Sequence, residues 1–261
     1  MPAHRLTNRQ HAIVRTCRRL AAGAGDDGAV LLDGAHLVAA ALDAGVPVDA
    51  IITDGRHVDL AARAEQTGAA VFEAGPKVFD AVSPVRSPTG VVAIARWSPA
   101  SVDQLIEAAE PRLVGLVGVQ DPGNVGAVIR TADALGATGV ITFDGSADAA
   151  GFKALRGAMG STFRLPVASA RLADHLPAAR RRGLRIAAAV AEDGLAPSAT
   201  TLAGPVLILL GHEGSGLAEP LVASADVRIT VPMRSGVDSL NVAVTAALLL
   251  WEAEDRGPRR P

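Results

Sequence analysis

The sequence predicts an α/β protein of two parts: a smaller α/β domain followed by a mainly parallel sheet with helices on both faces. Three observations carry that prediction. Short β-rich apolar runs alternate with Ala-rich stretches of helical period in both halves, the pattern of strands joined by helices. A Ser/Pro/Gly-rich loop around Pro84 and Pro88, then a linker with a short helix from Trp97 to Pro111, interrupts the alternation midway. A length of 261 residues with 49% hydrophobic content suits two ordinary domains, each with its own core. The boundary falls between residues 105 and 106, giving parts 1–105 and 106–261.

The first element is a basic leading segment. Arg5, Arg9, Arg15, Arg18 and Arg19 all precede Asp26, the first acidic residue, although the whole chain has a formal charge of -2. Such a run is either a local face that attracts phosphates or simply a solvated helix face or disordered arm. Strands follow at Ala29 to Leu32, Ala50 to Thr53, Ala70 to Glu73 and Gly90 to Ala95. Helices fall between them at about Ala35 to Ala44 and Leu60 to Thr67.

In the second half, Leu113 to Val119 is a β-rich run, followed by a Pro/Gly turn and a helix from Asn124 to Leu135 that Gly136 ends. Gly139 to Phe143 reads as a strand, Gly151 to Ser161 as a helix and Leu165 to Val167 as a short strand. Leu172 to Arg182 is a helix closed by Gly183; Leu184 to Val190, Val206 to Leu210 and Val227 to Val231 are strands. Asp238 or Ser239 can cap the closing helix, whose Leu240, Val244, Leu248 and Trp251 share one face and read as the packed side of an amphipathic helix.

Composition also excludes several classes. A single cysteine, Cys17, rules out an internal disulfide framework, and the six scattered histidines form no cluster with metal-ligand spacing, so no metal is assigned. Residues 1 to 20 lack the apolar core of a signal peptide and no apolar run is long enough to span a bilayer, so the chain reads as a cytoplasmic protein without membrane contact. Neither a Gly-x-Gly-x-x-Gly dinucleotide turn nor a P-loop occurs.

Three segments carry the functional signal. They are Val119-Gln120-Asp121-Pro122-Gly123-Asn124-Val125-Gly126-Ala127-Val128-Ile129-Arg130, then Leu210-Gly211-His212-Glu213-Gly214-Ser215-Gly216-Leu217, then Val231-Pro232-Met233 with Ser239-Leu240-Asn241-Val242-Ala243-Val244. Asp121 to Asn124 suits a turn and helix cap, and the glycines after the Val206 to Leu210 strand allow positive φ and close backbone approach to a ligand.

In order and spacing, about eighty and about twenty residues apart, these segments resemble the SpoU/TrmH-type RNA 2′-O-ribose methyltransferases of the SPOUT group. The resemblance covers residues 112 to 254 well and the first hundred loosely. It implies S-adenosylmethionine as methyl donor, RNA as substrate, a trefoil-knotted catalytic domain, and a homodimer with each active site completed near the subunit interface. Leu32-Asp33-Gly34-Ala35-His36-Leu37-Val38 and Ser87-Pro88-Thr89-Gly90-Val91-Val92-Ala93 resemble the two ends of the ribosomal-protein-like substrate-binding domain that often precedes such catalytic domains.

By the same resemblance Arg130 is the catalytic arginine, with Asn124, Glu213, Ser239 and Asn241 around the reaction centre. Leu210, Gly211, Gly216, Val231 and Leu240 would form the cofactor pocket, and His212 stands where Asn or Ala is often found. Methyl transfer to a ribose hydroxyl is an in-line displacement, so orientation and desolvation matter more than an acid for the leaving group. An arginine stays protonated and its fork suits phosphate, so positioning the RNA and stabilising the oxyanion is easier for Arg130 than acting as free base. Asn124 and Gly126 read equally as cap and packing residues or as direct contacts.

With no Tyr and five Phe the chain has few base-stacking platforms, which favours structured RNA read by shape and phosphate. 23S ribosomal RNA is the first expectation, transfer RNA the second. The non-enzymatic alternative, an RNA-binding or ribosome-assembly module, has no need of Arg130 and Glu213.

Overall fold

The computed structural model describes residues 4–25, 28–200 and 202–253. The chain divides into two compact units: residues up to Ser98 together with Ala150–Phe163, and Pro99–Ala149 together with the residues from Arg164 on.

The first unit runs β1 (His4–Leu6), α1 (Ala12–Ala21), β2 (Ala29–Asp33), α2 (Ala35–Asp43), β3 (Val48–Thr53), α3 (Val58–Gln66), β4 (Ala70–Ala74), α4 (Pro76–Val82) and β5 (Val91–Arg96). Its five strands lie in the order β1-β4-β3-β5-β2, with β5 antiparallel to both neighbours and the other pairs parallel. Side chains alternate between the faces of a strand. Leu31, Ile52, Val92 and Ile94 accordingly pack with α1 and α4, while Val30, Leu32, Ile51 and Ala93 pack with α2 and α3.

The basic leading segment is ordered here. In α1, Val14, Cys17 and Leu20 are buried, and His11 caps the helix by accepting from the Ile13 N–H through Nδ1 at 3.3 Å. Arg15, Arg18 and Arg19 stay on the exposed side, with Arg18 and Arg19 in the last turn where the helix dipole favours cations. Burial pushes the Cys17 thiol up to about 12, so it remains an unreactive apolar group.

The rest of the chain runs α5 (Val102–Ile106), β6 (Arg112–Leu116), α6 (Pro122–Ala134), β7 (Gly139–Thr142), α7 (Phe152–Ala158), β8 (Val167–Ser169), α8 (Leu172–Arg181), β9 (Arg185–Ala189), β10 (Val206–Leu210), α9 (Glu219–Ser224), β11 (Val227–Ile229) and α10 (Val242–Ala253). All pairings in the six-stranded sheet β11-β9-β10-β6-β7-β8 are parallel. Every residue of β10 is buried, the continuous apolar run expected of a strand covered on both faces. α7 groups with the first unit: it packs against the edge strand β2, sending Phe152 into one core cluster and Leu155 into the other.

Several sequence expectations are corrected. The helix expected over Gly151 to Ser161 stops at Ala158, where Met159 takes a left-handed conformation at φ 50° and Gly160 follows at φ 86°. The strand expected at Leu165 to Val167 lies at Val167–Ser169, where it pairs with β7. α10 is capped by Asn241, whose Oδ1 accepts from the Ala243 N–H at 2.9 Å, in place of Asp238 or Ser239. Its stripe of Leu240, Val244, Leu248 and Trp251 is the exposed one, at 36, 47, 40 and 39% exposure, while Val242, Ala246, Leu249 and Leu250 face the core.

Candidate active site

In a parallel sheet every strand delivers its carboxyl end to the same rim, where ligand sites form. β6 and β10 are neighbours in register, with Leu116 beside Leu210, so the loops that follow them leave the sheet side by side. Residues 117–121 and 211–216 therefore meet, and the first and second sequence motifs form one site.

Asp121 caps α6 by accepting from the Gly123 N–H at 2.6 Å, and Pro122 opens the helix where no N–H is needed. This leaves Asn124 on the first turn. Its Nδ2 donates to Glu213 Oε1 at 3.0 Å, and its Oδ1 accepts from Asn241 Nδ2 at 2.9 Å. The Gln120 and Asp121 N–H groups also donate to the Glu213 carboxylate, each at 3.4 Å. Donor and acceptor roles are settled all along the chain, because Asn241 Oδ1 is already committed to the α10 cap. Residues 89 and 117 positions apart in sequence thus become one network.

Partial burial pulls the Glu213 carboxyl upward, but the donors from Asn124, Asp121 and Gln120 outweigh it and hold the group below the usual carboxylate range. Glu213 is a fixed anion near the positive end of α6.

The loop after β10 is tightly folded on itself. His212 N–H donates to the Gly216 carbonyl at 3.1 Å, and Gly216 N–H returns to the His212 carbonyl at 2.9 Å. A Cβ on Gly211 would lie 2.3 Å from the Gly216 carbonyl carbon, and Gly216 itself has φ 67°. These two glycines are required by the loop's own geometry.

A cavity of about 420 Å³ opens beside this network, bounded by the loops after β9, β10 and β11 and by the start of α10. Leu210, Gly211, Gly216, Val231 and Leu240 all line it, as do Glu213 and Ser239. Asn124 and Asn241 reach it through Glu213. Arg130 is exposed on α6, and no hydrogen bond or ion pair joins it to Asn124, Glu213 or Asn241. Sequence reasoning missed the acidic residues that line the cavity, Glu192, Asp193, Glu219 and Asp238, and the guanidinium of Arg228 that lines it with them. Asp193 holds φ 59° without being glycine, but neither its place nor its strain could be read before β9 and β11 were brought together. It also missed the backbone donors of Gln120 and Asp121. The turn residues were visible, but their aim was not. No group of three or more possible metal ligands occurs among the described residues, and no helix there is long and apolar enough to cross a membrane.

The parallel sheet, the rim site and the three motifs define a methyltransferase-type fold, and the comparisons agree. Residues 111–251 match the model of the SpoU rRNA Methylase family. The chain is 31% identical over 224 residues to the 23S rRNA (guanosine(2553)-2′-O)-methyltransferase RlmP of Bacillus subtilis, covering 85% of this chain and 86% of that protein. It is also similar in structure to the AdoMet-bound rRNA methyltransferase from Sinorhizobium meliloti, with a TM-score of 0.86 and 29% identity over 96% of this chain and 97% of that one. The AdoMet complex of the SpoU methyltransferase AviRb from Streptomyces viridochromogenes gives a TM-score of 0.79 at 25% identity, covering 93% of this chain and 97% of that one. The chain belongs to the SpoU rRNA methylase family.

Proposed function

We propose that this protein is an RNA methyltransferase that moves a methyl group from S-adenosylmethionine to a ribose 2′-hydroxyl of 23S ribosomal RNA, and that it works as a homodimer in the cytoplasm. The observation that carries the reading is the Glu213–Asn124–Asn241 network standing at the edge of the 420 Å³ cavity.

The cavity fits the cofactor on its own terms. Its volume lies in the usual range for small-molecule sites, roughly 300–1,000 Å³. Leu210, Val231 and Leu240 offer apolar surface for a purine, and Gly211 and Gly216 let the main chain approach it. The excess of carboxylates suits a ligand bearing ammonium and sulfonium charge. Bound there, S-adenosylmethionine supplies an electrophilic methyl on a leaving group that needs no protonation.

The protein's own part is positioning. Glu213, kept anionic, fixes Asn124 and through it Asn241. Ser239 and Asn241 border the point where cavity and network meet. Arg130, charged and unattached to this network, holds the RNA phosphate and stabilises the developing alkoxide. The exposed arginines of the leading segment and α1 capture RNA from the first unit; Arg9 Nε and Arg18 Nε are oriented by the Lys77 and Ala81 carbonyls at 2.7 and 3.1 Å. The exposed apolar stripe of Leu240, Val244, Leu248 and Trp251 is the surface a second copy covers, since an unburied stripe of this kind marks an interface.

The deciding experiment maps 2′-O-methylation in ribosomal and transfer RNA from cells with and without the protein, alongside methyl transfer by the purified chain. Loss of one 23S methylation, restored in vitro, is the expected result. A missing transfer RNA mark would reassign the substrate, and no missing mark would remove the enzymatic reading.

A further inference from the structure

The loop that carries Glu213 is held by an imidazole. His212 Nδ1 accepts from the Gly214 N–H at 2.9 Å and from the Ser215 N–H at 3.2 Å, spanning the two residues that follow Glu213. The two backbone bonds between His212 and Gly216 close the same turn. Asp and Asn side chains commonly fix turns in this way, by accepting from N–H groups two and three residues on. The chain uses the device a second time, where His11 Nδ1 accepts from the Ile13 N–H.

We propose that His212, in its neutral form with the proton on Nε2, is a positioning residue for the cofactor loop, and that protonating it releases the loop. The proposal rests on the cavity being the S-adenosylmethionine site. An imidazolium has two N–H donors and no acceptor, so it cannot hold the Gly214 and Ser215 amides. Glu213 sits between His212 and the pinned residues, so its reach to Asn124 and the shape of the cavity mouth depend on that lone pair as well as on the backbone bonds of the turn.

A Cβ built on Gly118, in the turn after β6, would come 3.7 Å from His212 Cβ, so that turn runs beside the side chain and adds no charge. The charged groups sharing the cavity are Glu192, Asp193, Glu213, Glu219, Asp238 and Arg228. Histidine side chains in general change charge between about pH 5 and 8, and that is the window the test covers.

Two measurements test this on the full chain. Nitrogen NMR of histidine-labelled protein, with the His212 signal identified by its absence in His212→Asn, should show a bare Nδ1 at neutral pH and slow exchange of the Gly214 and Ser215 amides. Calorimetry with S-adenosylmethionine should show affinity falling about tenfold as the pH drops across that window, the effect of losing one or two ordinary hydrogen bonds. His212→Asn should keep neutral-pH affinity and lose the acid fall, because its Oδ1 can accept the same N–H groups without titrating. His212→Ala should bind about tenfold more weakly at every pH in the window. An Nδ1–H tautomer, an unchanged acid fall in His212→Asn, or full affinity in His212→Ala would each overturn the proposal. If the wild type bound no cofactor at any pH, the cavity assignment would fail, while the tautomer and amide exchange would still decide the role of the ring.

Discussion

Each unit places a carboxylate at or just beyond a strand end, and the two are treated in opposite ways. Asp33 ends β2, is 7% exposed, and accepts from the Ser83 hydroxyl at 2.5 Å. Desolvation raises its carboxyl above the ordinary range, only partly opposed by Ser83 and by the charge of Arg156. Glu213 follows β10, is exposed, and collects N–H donors from three residues that hold it low. The difference comes from the sheets. In the parallel sheet the β6 and β10 loops share a rim, so backbone N–H groups and an amide converge on one anion. In the mixed sheet β5 runs against its neighbours, and Asp33 finds a hydroxyl and a nearby guanidinium in place of such a set. A carboxylate supplied with N–H donors is ready for use; one supplied mainly with burial is a structural cost.

The sharpest way to break the contrast between the units is to remove the first one. A fragment from Gln104 onward would uncover Phe152 and Leu155, whose partners lie in the first unit. Burying each is worth about 1.5–3 kcal/mol, together a large share of the roughly 5–15 kcal/mol that holds a domain folded. The fragment should therefore melt far lower or aggregate, and F152S with L155Q should recover solubility. A fragment as stable as the full chain would show that α7 does not depend on β2.

Arg130→Ala comes next. Methyl transfer in single turnovers should fall by roughly 10²–10³-fold, as on losing a stabiliser of the developing oxyanion, with S-adenosylmethionine affinity nearly unchanged. Near-normal chemistry would make Arg130 an ordinary solvated side chain.

Gly211→Val should weaken cofactor binding by about 100-fold, because the new Cβ meets the Gly216 backbone at 2.3 Å and overpacking of this kind costs about 1–3 kcal/mol. Calorimetry on the folded variant checks it, and unchanged affinity would separate this loop from the cavity's ligand.

The two carboxylates themselves should give the smallest effects, with opposite signs. Because Glu213 has a lowered folded-state pKa, the stability it adds is present above its unfolded value of about 4.3 and is lost as the pH falls through the folded value. Glu213→Gln should therefore be less stable than wild type at neutral pH and converge with it in acid. Asp33 is raised, so its native state favours the proton and its charged form weakens the fold at neutral pH. Asp33→Asn should raise stability by about 1 kcal/mol at pH 7, the usual sign for removing an ill-solvated buried charge, and the gain should shrink as the pH is lowered. Thermal melts of both variants across pH test the pair. A destabilised Asp33→Asn would mean that attraction to Arg156 outweighs burial.

Sequence alone determined the alternation of strands and helices, the run of residues in each motif and the glycines at 211 and 216, because period, propensity and φ requirements are local properties. It did not determine the orientation of α10: Val242–Ala253 is apolar nearly all round, so the Leu240, Val244, Leu248, Trp251 stripe and the buried Val242, Ala246, Leu249, Leu250 stripe look equally suited to a core. It left α1 open between a helix face and a disordered arm, since the two share a composition, and the burial of Val14, Cys17 and Leu20 depends on α4 lying beside them. Only tertiary structure put α7 with the first unit and joined Asn124 and Asn241 to Glu213. Each of those contacts depends on which strands are neighbours and where their loops leave the sheet, and strand order is not a local property of the chain.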